Sequence, residues 1–228
     1  MVVEEPHGRP VVVLAGGDPV APAVAVGLPA DAYVVAADSG LDHAAALGLD
    51  VDLVVGDLDS VSPQRLAAAR AAGVEVEEHP TAKDATDLAL ALDAAAARGP
   101  ADVVLVGGHG GRLDHLLANA LVLADDRYAH LRLTARMGPA TVTVVRDRAE
   151  LTGTRGELVS LLPVHGPAAG VTTVGLLYPL DGEDLAPGTT RGVSNELTGP
   201  RATVTVTDGV LLVVQPGVLG THQLGPRT

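Results

Sequence analysis

Two acidic runs stand where short β-branched segments end. Ala37-Asp38-Ser39-Gly40 follows Val34–Ala37, and Gly56-Asp57-Leu58-Asp59-Ser60 closes Leu53–Gly56. In a loop leaving a strand, residues two apart can turn toward one point. Asp57 and Asp59, with Asp38 at a neighbouring strand end, could thus supply the several oxygens that a hard divalent cation takes. Ordinary turn formation by Asp, Gly and Ser is the competing explanation. Next comes Thr81-Ala82-Lys83-Asp84-Ala85-Thr86-Asp87, ahead of a long helical stretch. Asp84 and Asp87 are three apart, share a face if helical, and stand where the helix dipole favours negative charge. The alternative is a cap, with Asp84 as N-cap and Asp87 at the third position. Lys83 is the only lysine of the chain, and a compact ammonium among carboxylates suits a site that also holds phosphate oxygens.

A third element, Gly107-Gly108-His109-Gly110-Gly111-Arg112-Leu113-Asp114-His115, lies between the Val103–Val106 run and an apolar-periodic helix. Glycines there let backbone N–H groups approach phosphate, the helix N-terminus adds partial positive charge, and Arg112 could clamp phosphate bidentately. The pattern is neither a G-x-G-x-x-G fingerprint nor a P-loop. A surface turn, with Asp114 and His115 as first-turn helix residues, is the alternative. A dinucleotide oxidoreductase is disfavoured, because Ala15-Gly16-Gly17-Asp18-Pro19 puts a proline where its helix should begin.

The elements that must position these residues read as follows. From Val11 to roughly Leu133, apolar runs (Val11–Ala15, Tyr33–Ala37, Leu53–Val55, Val103–Val106) alternate with helical stretches (Leu41–Leu47, Pro63–Ala72, Thr86–Arg98, Leu113–Ala124). That repetition predicts an α/β domain, a parallel sheet flanked by helices, with ligands outside the carboxyl ends of the strands. The three motifs then converge on one crevice, and a metal–nucleotide site is the better reading. After about Arg136 the helices stop. Thr141–Val145, Glu157–Leu162, Val171–Leu177, Ala202–Thr207 and Val210–Val214 read as strands of a smaller all-β sandwich or barrel, split by turns such as Asp208–Gly209. The division predicted is 1–145 and 146–228.

Composition narrows the partners. Of 228 residues 47% are hydrophobic and mean hydropathy is +0.30, which suits a globular chain. Phe and Trp are absent, leaving Tyr33, Tyr128 and Tyr178 as the aromatics, too few for a stacking surface. A net charge of −13 opposes binding to nucleic acid or an anionic membrane, since both need a basic surface. No cysteine means no disulfide and no thiolate chemistry. Met1 to Pro10 does not read as a leader, apolar runs are too short to span a bilayer, and a cytoplasmic location is expected.

Taken in order, Ala37-Asp38-Ser39-Gly40, Gly56-Asp57-Leu58-Asp59-Ser60, Lys83-Asp84-Ala85-Thr86-Asp87, Gly110-Gly111-Arg112-Leu113-Asp114-His115 and Thr190-Arg191-Gly192-Val193-Ser194-Asn195-Glu196 resemble the motifs of the thiamine pyrophosphokinases. The similarity spans nearly the whole chain, Leu176-Leu177-Tyr178-Pro179-Leu180 included. The resemblance implies an N-terminal α/β nucleotide domain, a C-terminal β-sandwich, and a homodimer with thiamine near the subunit interface. It also implies transfer of pyrophosphate from ATP to the thiamine hydroxyl, releasing AMP. By matching position, Asp38, Asp57, Asp59, Asp84 and Asp87 would handle Mg²⁺ and phosphate. Gly16, Gly17, Ser60, Lys83, Thr86, Gly108 and Arg112 would serve the nucleotide, while Asp114, His115, Ser194 and Asn195 would reach the substrate. Some members carry an aromatic near the substrate pocket, and Tyr178 is the one candidate on the β side. Within this reading Mg²⁺ is expected on Asp57, Asp59 and Asp84 or Asp87, with Arg112 and Lys83 offsetting developing charge. A non-catalytic nucleotide-binding relative and a Mg²⁺-dependent phosphohydrolase remain the alternatives.

Overall fold

The computed structural model describes residues 8–82 and 84–217. Lys83, and residues 1–7 of the stretch read against a leader, lie outside the described residues. By its contacts the chain divides into two units, Met1–Val122 with His130–Gly138, and Leu123–Ala129 with Pro139–Thr228.

The first unit is a parallel sheet with helical crossovers. Its strands are β1 (Val11–Ala15), β2 (Tyr33–Ala37), β3 (Leu53–Gly56), β4 (Glu75–Glu78), β5 (Asp102–Gly107) and β6 (Arg132–Met137); its helices are α1 (Gly40–Leu47), α2 (Pro63–Ala71), α3 (Asp87–Ala96) and α4 (Leu113–Val122). Every residue of β1 is buried, as expected of a strand with helices on both sheet faces. The spatial order is β6-β5-β1-β2-β3-β4, and each neighbouring pair runs parallel. The chain builds outward from β1 through β4 and then returns to β1's other side at β5. That reversal is a topological switch point, where open α/β sheets leave a crevice at the strand ends. The register sets Ala15 level with both Ala37 and Gly107, so the loops carrying the three motifs leave the sheet side by side.

The predicted strands and helices are present to within a few residues, with two additions in this unit. β4 reads Glu-Val-Glu-Glu and is mostly exposed; charged side chains on an edge strand discourage further pairing. β6 alternates exposed or half-buried Arg132, Thr134 and Arg136 with buried Leu133, Ala135 and Met137. Helix α4 has the expected apolar period but buries none of its residues. Leu113, Leu117 and Leu121, four apart, are 68%, 54% and 43% exposed.

The second unit consists of antiparallel strands β7 (Ala140–Val145), β8 (Arg148–Thr152), β9 (Leu158–Pro163), β10 (Ala168–Val174), β11 (Glu183–Leu185), β12 (Asn195–Glu196), β13 (Arg201–Thr205) and β14 (Leu211–Gln215). They form the layers β12-β9-β14-β7 and β11-β10-β13-β8. Inward-facing Val145, Leu151, Val159, Leu161, Val171, Leu185, Val204 and Val213 make one aliphatic core between them, the sandwich arrangement. β7 packs within this unit, although the division at residue 145 assigns it to the first.

Candidate active site

At the carboxyl ends of β1, β2, β3 and β5 lies a cleft of about 550 Å³. The acids reach it for a local reason. Leu58 is buried with Ala36, Leu41, Val54, Val61 and Ala69, and it takes a left-handed φ of 62°. Anchoring Leu58 inward turns its flanking residues, Asp57 and Asp59, outward together. Asp38 enters from β2 with φ 47°, and its N–H donates to Val55 O at 2.9 Å. Ligand oxygens of Asp38, Asp57 and Asp59 lie within 4.8 Å of one another. Ser60 Oγ donates to Asp59 Oδ1 at 2.9 Å. Asp87 joins from the first position of α3, where its Oδ1 accepts from Asp57 N at 3.3 Å. A side chain on Gly56 would obstruct this approach, since an added Cβ would stand 3.0 Å from Asp87 Oδ1 and 3.2 Å from Asp38 Cβ.

Asp38 is the perturbed member. It is 8% exposed and its Oδ1 has no hydrogen-bond partner among the described residues. Burial, with Asp87 and Asp57 nearby, pushes its carboxyl above the ordinary value. The folded chain therefore holds this proton more tightly than the unfolded chain. The stability linked to it is full below the unfolded value of about 3.9 and is lost as pH rises through the raised folded value. Asp38→Asn removes that loss. At neutral pH the metal-free variant is expected to melt roughly 2–4 °C above wild type, while stabilisation by added Mg²⁺ shrinks; paired melting curves check both.

Facing the acids are two interlocked glycine loops. Gly108 N donates to Gly16 O at 2.9 Å, and Asp18 N donates to His109 O at 2.8 Å. Asn119 of α4 adds a side-chain bond to Gly108 O at 3.0 Å. Gly107, Gly108, Gly110 and Gly111 all have positive φ, so this loop follows a path closed to most residues. Arg112 and His115 line the cleft at its α4 side. Arg112 is held by Asp114 through Nε–Oδ1 at 3.1 Å and Nη2–Oδ2 at 2.5 Å. The pairing raises the Arg112 pKa and lowers that of Asp114. Both are exposed.

The structure thus brings together Gly16, Gly17, Asp38, Asp57, Asp59, Ser60, Thr86, Asp87, Gly108, Arg112 and His115. It does not bring Asp84, which is exposed ahead of α3 and absent from the cleft lining. The cap falls on Thr86, whose Oγ1 accepts from Ala89 N. Asp84 therefore lies outside the helix and shares no face with Asp87. Asp114 also stays off the cleft wall and acts on Arg112. Ser194 and Asn195 belong to the second unit. The Asn195 side chain is 3% exposed: Oδ1 accepts from Tyr178 N at 3.0 Å, and Nδ2 donates to Tyr178 O at 2.7 Å. The amide braces Tyr178, which is 56% exposed, and Oδ1 also accepts from Glu196 N at 2.9 Å. Ser39 and Asn119 line the cleft without having been assigned roles. Asn119 had a signal, a lone amide in the apolar run of α4.

Fold and cleft together define a two-unit α/β-plus-β protein, with a carboxylate- and glycine-lined crevice at the switch point of its parallel sheet. The family model described as thiamin pyrophosphokinase, catalytic domain, matches residues 28–134, and that described as thiamin pyrophosphokinase, vitamin B1 binding domain, matches 142–211. The chain belongs to the thiamine pyrophosphokinase family, a family of transferases. The thiamine pyrophosphokinase of Bacillus subtilis (strain 168) is 27% identical over 191 residues, 77% of this chain and 85% of that protein. The crystal structure of thiamin pyrophosphokinase from Geobacillus thermodenitrificans superposes with a TM-score of 0.78 at 26% identity, covering 95% of this chain and 100% of the other. The Candida albicans enzyme, at 12% identity and a TM-score of 0.73 over 94% and 95% of the two chains, shares the fold.

Proposed function

We propose that this chain transfers the pyrophosphoryl group of ATP to the hydroxyl of thiamine, giving thiamine diphosphate and AMP, with ATP in the cleft of the first unit and thiamine recognised by the second. The observation that carries the reading is the meeting of Asp38, Asp57 and Asp59 within 4.8 Å opposite glycine loops at a switch point. The donor set fits Mg²⁺: it is all oxygen, and the buried Asp38 Oδ1 has no hydrogen-bond partner among the described residues. Asp57 and Asp59, with Asp38, would hold the ion, and Asp87 would fix the Asp57 backbone. A bound Mg²⁺ supplies charge neutralisation on the triphosphate.

The chain's own residues do the rest. Backbone N–H groups of the 16–17 and 108–111 loops cradle phosphate oxygens, and Arg112, pre-oriented by Asp114, turns to the charge that develops as AMP departs. The thiamine oxygen attacks the β-phosphorus, the bond from that phosphorus to the α-bridging oxygen breaks, and the hydroxyl proton passes late to Asp59 or to water. Asp114 is the poorer acceptor, because its guanidinium partner lowers its basicity. In the second unit, the exposed ring of Tyr178, fixed at its backbone by Asn195, offers a face for a heteroaromatic ring. The exposed Leu113, Leu117 and Leu121 stripe of α4 supports a homodimer in which a second copy covers it. The use of ATP favours the cytoplasm; no helix among the described residues is long and apolar enough to cross a membrane.

Incubation with ATP and Mg²⁺, with and without thiamine, tests the reading. AMP and thiamine diphosphate formed in equal amounts, only when thiamine is present, is the expected result. AMP or phosphate released at the same rate without thiamine would identify a hydrolase instead.

A further inference from the structure

His43 lies outside every motif used so far, yet it is one of the few buried polar side chains of the described residues, 7% exposed. It sits on α1, on the turn after Asp38 and Ser39. Its Nδ1 lies 2.8 Å from Ala15 O. A carbonyl only accepts, so Nδ1 carries the proton and donates. Ala15 is the last residue of β1, and Gly16 and Gly17 follow it directly. Gly107, where the second glycine loop begins, packs onto the same bond: an added Cβ there would stand 3.0 Å from His43 Nδ1 and clash with Ala15 O. At the other end of the turn, the Ser39 hydroxyl fills the space over Gly16, and Gly40 lies against Leu14 O. One buried hydrogen bond therefore joins the helix that carries the Asp38 turn to the strand that carries the first glycine loop, with the second loop packed against it.

We infer that His43 is a positioning residue, which fixes the spacing between the Asp38 carboxylate and the Gly16–Gly17 loop so that both meet one phosphate chain. The inference rests on the nucleotide assignment of the cleft. It touches neither phosphate nor metal itself; it acts through Ala15 O. Removing the donor takes a side-chain hydrogen bond from a buried strand-end carbonyl, which loosens the strand end locally.

The test compares wild type, His43→Leu and His43→Asn. Asn places its Nδ2 the same number of bonds from the backbone as His Nδ1, so it can restore the bond to Ala15 O, whereas Leu cannot. Three quantities are read: the Kd of a non-transferable ATP analogue with Mg²⁺, the KM for ATP against that for thiamine, and the melting temperature. Leu is expected to weaken nucleotide binding and raise the ATP KM about tenfold, with the thiamine KM little changed, and Asn to recover most of this. Analogue affinity within twofold of wild type in soluble, folded Leu variant, or equal losses in Leu and Asn variants of matched melting temperature, would overturn the role. Should Leu fail to fold, the Asn variant decides alone, near-wild-type affinity supporting the role and a tenfold loss opposing it. The nucleotide assignment is judged separately, on wild type: if wild type does not bind the analogue, that assignment fails and the inference with it.

Discussion

Asp57→Asn lowers turnover by about 10²–10³-fold while leaving the fold in place. The asymmetry between the two effects follows from where the charge sits. Asp57, Asp59 and Asp38 crowd their oxygens within 4.8 Å, so without a cation each ionised carboxylate is repelled by the others. Asn keeps the shape and an oxygen acceptor for the long contact from Asp59 N, 3.4 Å in wild type, but removes one negative charge. The metal-free variant is thus as stable as wild type or slightly more so, and what it loses is a charged ligand for Mg²⁺. Saturating-substrate turnover, measured beside thermal melting, checks both halves. Activity within a few-fold of wild type contradicts the metal assignment.

Gly17→Ala has the second large effect, and here structure and binding fall together. Gly17 has φ 125°, a conformation that L side chains rarely adopt. An added Cβ would stand 2.2 Å from His109 O, a backbone atom that cannot swing aside as a side-chain end can. The two glycine loops must separate, which breaks the Asp18 N–His109 O bond of 2.8 Å and splays the surface that faces the acids. We expect a loss of about 1–3 kcal/mol in stability and at least about a tenfold loss in nucleotide affinity. Gly27→Ala is the control: Gly27 also has positive φ, 72°, but an added Cβ there meets nothing within 4 Å. It is expected to show backbone strain in melting and unchanged nucleotide binding.

Much of the first unit was legible because its strands are apolar on both faces and its loops begin where that apolarity stops. β1 and β2 match the sequence reading residue for residue. β4 carries no strand signal, because three of its four residues are Glu; pairing along β3 creates it. β6 escaped for another reason. Its alternation of Arg132, Thr134 and Arg136 with apolar residues falls where helical patterning gives way to β patterning.

In the site, Asp38, Asp57, Asp59 and Asp87 could be read from spacing, whereas Asp84 could not be separated from Asp87. Both are acids ahead of an apolar run, and only the Thr86 cap decides which one enters the helix. Asn195 shows a deeper limit. An Asn in a turn looks the same in sequence whether it faces a ligand or ties down its neighbours, and its two bonds to Tyr178 are a tertiary fact. His43 was invisible for the same reason, since Ala15 lies 28 residues away.

Transfer in this cleft requires magnesium and a triphosphate to meet at the aspartate cluster. A crystal structure with Mg²⁺ and a non-transferable ATP analogue tests it most directly. Asp57 and Asp59 are expected to ligate the ion, with phosphate oxygens lying against the Gly16–Gly17 and Gly108–Gly111 backbones. A triphosphate bound elsewhere on the protein, or an ion that leaves Asp57 and Asp59 uncoordinated, would contradict it.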